Sequence, residues 1–481
     1  MSKPPFVLSI DQGTTSSRAL VFDACGNVVS VAQKELEITT PQSGWVEQNA
    51  IQIWQDVRDL CESVLNKHKD DHIVGIGITN QRETTIVWNK ITGQPVYNAI
   101  VWQDRRTAEY CKTLKPHADM IADKTGLVPD PYFSATKLKW ILDEQDDIDD
   151  LLFGTVDCYL LWHLTDGRVH ATDASNAART MLFNIKTQQW DKDLCDLLGI
   201  PMHVLPNVLD NLSDFGTCDL FDRPLDVMAM AGDQQSATFG QSCFDIGMVK
   251  STYGTGCFAL MNTGDTCVQS NNKLLSTVAW RIDGKVTYAL EGSIFVAGAA
   301  IQFLRDQFNF FDDAAQSEAM ALSVNDTDGV VFVPCFTGLG APHWNADARG
   351  ALFGLSRGTK QAHIVRACLD AQAYQTRDLI DAMALDAGHD IETIRVDGGL
   401  VQNDYVCQCI ADEVGCDIDR PINTEATAWG AAAMAFIHAG VFQSFDDVSN
   451  HYALDRKFTP QSNAGDGYKQ WVKSINALQT I

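Results

Sequence analysis

The sequence predicts a mixed α/β fold built as two domains, and three observations predict it. The chain has 481 residues, whereas a single hydrophobic core stops growing near ~250–300 residues. Strand and helix signals alternate from the start, as in mixed α/β domains. The opening order of strand, Gly/Thr turn and strand then returns in the second half, a repeat of domain size and not the ~20–50 residues of a solenoid. With 45% apolar and 20% charged residues, 34 Gly and 14 Pro, the composition is globular, far from disordered, collagen-like or coiled-coil chains.

The elements follow in order. The apolar run Phe6-Val7-Leu8-Ser9-Ile10 ends at Asp11 and Gly13, and a second run over 18–22 closes at the polar turn 23–27, which makes a hairpin. Over 50–66, Ile51, Ile53, Trp54, Val57, Leu60, Cys61, Val64 and Leu65 fall on or near one helical face, and an alternating strand follows at 73–78. The acidic run 143–150 is a solvated loop or helix end, because its spacing is wrong for a calcium loop. Residues 215–223 suggest an irregular loop before an apolar strand at 227–231 that ends at Gly232-Asp233. The boundary falls within 241–245, dividing the chain into 1–243 and 244–481. Beyond it come a strand at 249–253, the turn Gly254-Thr255-Gly256, a strand at 258–261, helix-length segments at 292–308 and 361–383, and a strand-turn-helix unit from 394 onward.

Charge and cysteine usage exclude several classes of function. The 36 basic and 62 acidic residues leave a net charge of −26, a field that repels nucleic-acid backbones and anionic membrane surfaces. The fourteen cysteines contain no C-x-x-C, and the closest cluster, Cys407, Cys409 and Cys416, lacks a nearby His pair. They suit buried positions in a reducing compartment. The first residues offer no signal-peptide pattern, and no segment approaches ~18 uninterrupted apolar residues. A cytoplasmic location is expected.

Three turns could hold a nucleotide. In Asp11-Gln12-Gly13-Thr14-Thr15-Ser16-Ser17-Arg18, a glycine-permitted turn offers backbone N–H groups and four hydroxyls to phosphate oxygens, Asp11 can hold a hydrated cation, and Arg18 adds positive charge. A single copy would be an ordinary Ser/Thr-rich β-turn. Its counterpart at Gly254-Thr255-Gly256 shifts the balance. The third turn, Asp397-Gly398-Gly399, lets backbone approach a ligand, with the Asn403 amide nearby. Alone it would be a cap or turn. The chain contains no P-loop, dinucleotide-binding or H-E-x-x-H motif.

A polyhydroxyl substrate is suggested by Arg82-Glu83 at the end of the 73–78 strand, since each hydroxyl both donates and accepts a hydrogen bond. From these residues alone, an exposed ion pair is the better explanation. Trp102, Tyr132 and Phe258 could wall such a site, although each singly would be core. Asp233, followed by Gln234, could accept a hydroxyl proton at the mouth of an interdomain cleft or cap a helix, and one residue could do both.

The stretches SIDQGTTSSRALVFD, GITNQRETTIVWNKITGQPVYNAIVWQDRRTAE, DPYFSATKLKWIL, AGDQQSATFGQ, STYGTGCF, ALEGSIFVAGAAIQFLRD, FTGLGAPHW and RVDGGLVQND resemble the FGGY carbohydrate kinase family, in particular its glycerol-phosphorylating members. The resemblance runs over about 7–435. It implies two RNase H-like domains, as in actin, hexokinase and the Hsp70 ATPase, closing on ATP, Mg²⁺ and glycerol. By motif position it implies glycerol ligands Arg82, Glu83, Tyr132 and Asp233, a pocket lined by Trp102, Gln234 and Phe258, and Asp233 as catalytic base. It implies nucleotide contacts at Thr14, Thr15, Ser16, Arg18, Thr255, Gly298, Gln302, Gly399 and Asn403, and Mg²⁺ organised by Asp11 and Asp233. A homodimer or homotetramer is the expected assembly. Alternatives are another kinase of the family acting on a pentulose or larger polyol, and a nucleotide switch of the Hsp70 or actin kind. Three features depart from the pattern, one of them a weakly matched stretch after Phe458. The stretch 214–224 is shorter and more acidic than the loop that binds fructose 1,6-bisphosphate in many bacterial relatives and contains no His, and Trp429 stands where relatives have a smaller aliphatic residue.

Overall fold

A computed structural model describes residues 3–345, 347–461 and 465–478. Two large sheets organise it. In the first, β1 (Pro5–Gln12), β2 (Ser16–Asp23) and β3 (Val28–Glu35) form an antiparallel meander, and β4 (His72–Asn80) lies parallel to β1. The short β5 (Thr217–Cys218) edges β6 (Leu225–Gly232), which runs parallel to β4, giving the order β5-β6-β4-β1-β2-β3.

The second sheet repeats that plan. It contains β7 (Val249–Tyr253), β8 (Cys257–Gly264), β9 (Leu275–Ile282), β10 (Lys285–Ile294), β11 (Thr393–Asp397), β12 (Asp417–Pro421) and β13 (Leu454–Phe458) in the order β9-β10-β8-β7-β11-β12-β13. Here β7 and β8 form a hairpin, β10 pairs antiparallel with β8, and β11 and β12 extend parallel from β7. A hairpin, a third antiparallel strand on one side and two parallel strands on the other recur in both sheets. The sequence repeat is therefore a repeat of topology.

The helices around these sheets include α1 (Ala50–Leu65), α2 (Asp233–Gly240), α3 (Gly298–Asp306), α4 (Gln361–Ala387), α5 (Asp404–Val414), α6 (Ala426–His438) and α7 (Asp466–Leu478). Asn49 caps α1 by accepting from the Gln52 N–H at 3.1 Å, and Ile53, Val57, Cys61, Val64 and Leu65 are buried along its inner face. Two expectations change. Residues 292–294 are strand, because Gly292, Ser293 and Ile294 pair with Ala259, Phe258 and Cys257, and helix begins only at Gly298. The 215–223 stretch is not wholly irregular, since Thr217 and Cys218 pair with Asp226 and Leu225. Trp429 is a core residue. It is 3% exposed, and its ring lies 5.6 Å from that of Phe22 and fills the space over Gly26, where a Cβ would sit 3.5 Å from it.

The alanine-rich α6 comes from late in the chain yet packs against the first sheet and α2. Small residues make this possible. A Cβ on Gly77 would lie 2.3 Å from the Ala431 carbonyl oxygen, and one on Gly430 only 1.8 Å from that of Ser236. The acidic run at 143–150 is largely exposed, with Lys139 meeting Asp143 at 2.8 Å and Lys90 meeting Asp150 at 2.9 Å. Among the described residues, no helix is long and apolar enough to cross a membrane.

Candidate active site

Parallel register aligns Gln12, Asn80 and Gly232 at the carboxyl ends of β1, β4 and β6. Residues 13–15, 81–83 and Asp233 consequently emerge at one edge, where ligands of open α/β sheets bind. Gln81 knits this edge together, its backbone N–H donating to the Gln12 carbonyl at 2.7 Å and its side chain to Gln48 at 2.8 Å.

Arg82, Glu83, Tyr132 and Asp233 do converge. Arg82 Nε lies 3.8 Å from Glu83 Oε1 and 3.5 Å from Asp233 Oδ1, and Arg82 Nη2 lies 3.4 Å from the Tyr132 hydroxyl. Glu83 adopts φ +59, a left-handed conformation rare for a non-glycine residue. Such strain costs about 1–3 kcal/mol and persists where surroundings enforce it. Here Ser134 and Thr85 hydroxyls hold the Glu83 carbonyl at 3.0 and 3.2 Å. The Tyr132 backbone is fixed by the buried Lys137 Nζ, which donates to its carbonyl at 2.6 Å. Burial pushes the Tyr132 hydroxyl upward and the Lys137 ammonium down to about 8.

Trp102 meets Tyr132 and Phe258 edge to face, with centroids 5.6 and 6.0 Å away. Phe258 stands on β8, whereas Trp102 and Tyr132 lie in turns of the first half of the chain, so both halves contribute to this wall. Trp102 Nε1 also donates to Thr14 Oγ1 at 2.9 Å, joining the wall to the first Gly/Thr turn.

Asp233 opens α2 directly after β6. Its Oδ1 accepts from the Gln234 N–H at 2.7 Å, and the side chain keeps 29% exposure. It does not cap the helix, whose N-cap is Gly232. Burial pushes its carboxyl up to about 6, against the pull of Arg82 and with reinforcement from Glu83. A carboxyl poised there can take a proton from a hydroxyl near neutral pH. Gln234 accepts from Lys250 Nζ, on β7, at 2.7 Å.

The nucleotide side is an arrangement of turns. Gly254 and Thr255 carbonyls accept from Gly298 and Ala297 N–H groups at 2.9 Å, which seats the start of α3 on the second Gly/Thr turn. A Cβ on Gly298 would lie 2.6 Å from the Gly254 carbonyl. Thr15, Thr255, Gln302 and Gly399 are exposed, and Ser16 and Thr14 are half-buried. Two residues are more occupied than the sequence suggests. Arg18 is shared between Asp11 and Glu425, and Asn403 caps α5 by accepting from the Val406 N–H at 3.1 Å.

Four further residues hold the site, and the sequence motifs give none of them a role. Arg179 and Glu291 lock Arg82 and Glu83, while Lys137 and Lys250 hold Tyr132 and Gln234. Glu291 and Lys250 carry a sequence signal only as charged residues within strands, Glu291 directly after Ala289-Leu290 and Lys250 directly after Val249. Arg179 ends the bland run Asn176-Ala177-Ala178 and carries none.

The model of the FGGY family of carbohydrate kinases matches its N-terminal domain to residues 6–240 and its C-terminal domain to residues 249–439. The chain belongs to the FGGY family of carbohydrate kinases. Among members of this family it is 52% identical to the glycerol kinase of Nitrosomonas eutropha and 49% identical to that of Bacillus licheniformis, over 99% of each chain in both comparisons. The crystal structure of Plasmodium falciparum glycerol kinase with ADP superposes with a TM-score of 0.93 at 34% identity, covering 99% of this chain and 98% of that one. A xylulose kinase from Lactobacillus acidophilus shares the FGGY kinase fold at a TM-score of 0.90 and 21% identity, covering 99% and 98% of the two chains.

Proposed function

We propose that the protein phosphorylates glycerol with ATP to give sn-glycerol 3-phosphate, the first step of glycerol catabolism. The reading is carried by the convergence of Arg82, Glu83, Tyr132 and Asp233 beneath an aromatic wall, in a chain about half identical to curated glycerol kinases along nearly its whole length. An arginine and a glutamate suit a small triol, because together they donate to and accept from its hydroxyls. Asp233 takes the proton of the terminal hydroxyl and orients its oxygen toward the γ-phosphoryl group. Gln234 and Phe258 complete the pocket wall.

Residues 1–243 form the lobe that carries the polyol side and the first phosphate turn. Residues 244–481 form the lobe that carries Thr255, Gly298, Gln302, Gly399 and Asn403 for the nucleotide. Thr14, Thr15 and Ser16 present hydroxyl and backbone donors to the phosphates.

The donor set fits Mg²⁺ held mainly by nucleotide phosphates and water. Among the described residues no group of three or more His, Cys, Asp or Glu could hold a metal ion, and magnesium in kinase sites ordinarily takes one or two carboxylates plus substrate phosphates. Asp11 and Asp233 each engage one oxygen in hydrogen bonds, to Arg18 and to the Gln234 N–H, which leaves the other for that role. When bound, Mg²⁺ supplies charge neutralisation at the transferring phosphoryl group. The enzyme acts in the cytoplasm as a homodimer or homotetramer, an assembly that sedimentation of the purified protein would test.

An ATP-consumption assay over a polyol panel tests the reading. Glycerol should be the preferred acceptor. Preference for a pentulose or larger polyol, or ATP hydrolysis indifferent to every polyol, would overturn it.

A further inference from the structure

Behind Arg82 and Glu83 lies a group of buried charges drawn from both halves of the chain. Glu291, on β10, accepts three hydrogen bonds: from Arg82 Nη1 at 2.6 Å, Arg82 Nη2 at 2.9 Å and Arg179 Nη2 at 2.9 Å. Arg179 Nε donates to Glu83 Oε1 at 2.6 Å. The side chains of Arg82, Glu83, Arg179 and Glu291 are each 2% exposed or less. Two positive and two negative charges balance, as buried ions must. Arg179 also lies behind the aromatic side of the pocket, 5.6 Å from the Tyr132 ring and 5.4 Å from that of Phe133.

Arg82 has three carboxylates within reach, those of Glu291, Glu83 and Asp233, and Glu291 takes both of its terminal nitrogens. A guanidinium fork prefers a bidentate carboxylate. Were Glu291 uncharged, the fork would turn toward Asp233, whose Oδ1 already lies 3.5 Å from Arg82 Nε. That rotation would withdraw Arg82 from the substrate side and block Asp233. Glu83 depends in the same way on Arg179, its closest basic partner, at 2.6 Å against 3.8 Å for Arg82.

We propose that Glu291 and Arg179 are positioning residues for the polyol site, with Glu291 holding the Arg82 fork away from Asp233 and Arg179 aiming Glu83. Because Glu291 belongs to the second sheet and the other three to the first half of the chain, the polyol pocket takes its shape from contact between the lobes. The inference rests on Arg82 and Glu83 binding the polyol, as proposed above.

The test is steady-state kinetics on Glu291→Gln, Arg179→Met, Arg179→Lys and the charge-balanced double variant Glu291→Gln/Arg179→Met. The acceptor is whichever polyol the wild-type enzyme prefers, so a failure of the glycerol assignment appears in the wild type and does not imitate failure here. A displacement of ~1 Å in a binding group costs on the order of 100-fold. Glu291→Gln and Arg179→Met should each raise the polyol KM tenfold or more and leave the ATP KM within twofold. Arg179→Lys, which keeps the charge but loses the fork, should recover part of that loss. The double variant should lose less than the product of the single losses. Equal losses in polyol and ATP KM, or a polyol KM within twofold of wild type in a folded Glu291→Gln protein, would overturn the proposal. Should the single variants fail to fold, the double variant decides between these outcomes by the same split.

Discussion

Arg18 and Asp11 face each other as register partners across the first hairpin, and Arg18 also reaches Glu425 at 2.5 Å. One guanidinium thus serves two carboxylates, leaving a net negative charge beside the turn proposed to receive phosphates. A unit charge a few ångströms away is worth roughly 1 kcal/mol or more at a partly solvated site. Glu425→Gln should therefore lower the ATP KM about fivefold, and the gain should shrink at high salt. Arg18→Ala should raise the same KM. Initial rates against ATP concentration at two ionic strengths check both.

Asp233→Asn should abolish phosphoryl transfer while preserving the fold. The amide cannot take the hydroxyl proton, and loss of a positioned base costs on the order of 10²–10⁴ in rate. Calorimetric titration should find ATP affinity close to wild type. If the folded variant turns over at the wild-type rate, Asp233 is not the base.

Much of this site was legible in the sequence because its donors lie next to glycine turns or strand ends. Gly13 and Gly254 mark the turns, and Gly298 and Gly398 mark places where backbone passes close to backbone. The Gly398 Cβ, for instance, would sit 2.3 Å from the Tyr253 carbonyl at φ +100. The topology was legible too, since the Gly/Thr turns open matching hairpins. What stayed hidden depends on tertiary contact. Arg179 lies 96 residues from Glu83 and 112 from Glu291, and nothing local distinguishes it from a surface arginine. Strand continued to Ile294 because of its pairing with β8, which local propensity does not record.

A buried acidic pair should make stability fall as pH rises. Asp157 and Asp173 are both fully buried, and Asp157 takes hydrogen bonds from Thr155 at 2.5 Å and Thr172 at 2.6 Å. Burial, reinforced by the Asp173 charge, pushes the Asp157 carboxyl up to about 7. The folded protein therefore holds a proton that the unfolded chain has released. The stability this contributes is complete below the ordinary carboxylate range and is lost as pH climbs through about 7. Asp157→Asn, which stays neutral, should melt higher than wild type at pH 8 and lose most of that advantage by pH 5. Scanning calorimetry at the two values reads the crossover, and a constant offset between the proteins would refute the assignment.

Trp429 separates stability from catalysis. Its ring packs among Phe22, Phe436, Phe442 and His451, with centroids 5.6–6.3 Å away, and covers Gly26. It sits in the first half of α6, one residue before the Gly430 crossing with Ser236 and far in sequence from the residues assigned to substrate. Truncation to alanine leaves a void that neighbouring backbone, already in tight contact at Gly77 and Gly430, cannot close. Such large-to-small changes cost about 3–5 kcal/mol. Trp429→Ala should therefore lower the melting temperature by several degrees, whereas kcat and both KM values of the folded protein, measured well below the transition, should stay within twofold of wild type. Trp429→Phe should recover most of the lost stability because it refills the space against Phe22. A marked fall in kcat with an unchanged melting temperature would instead place Trp429 in the catalytic machinery.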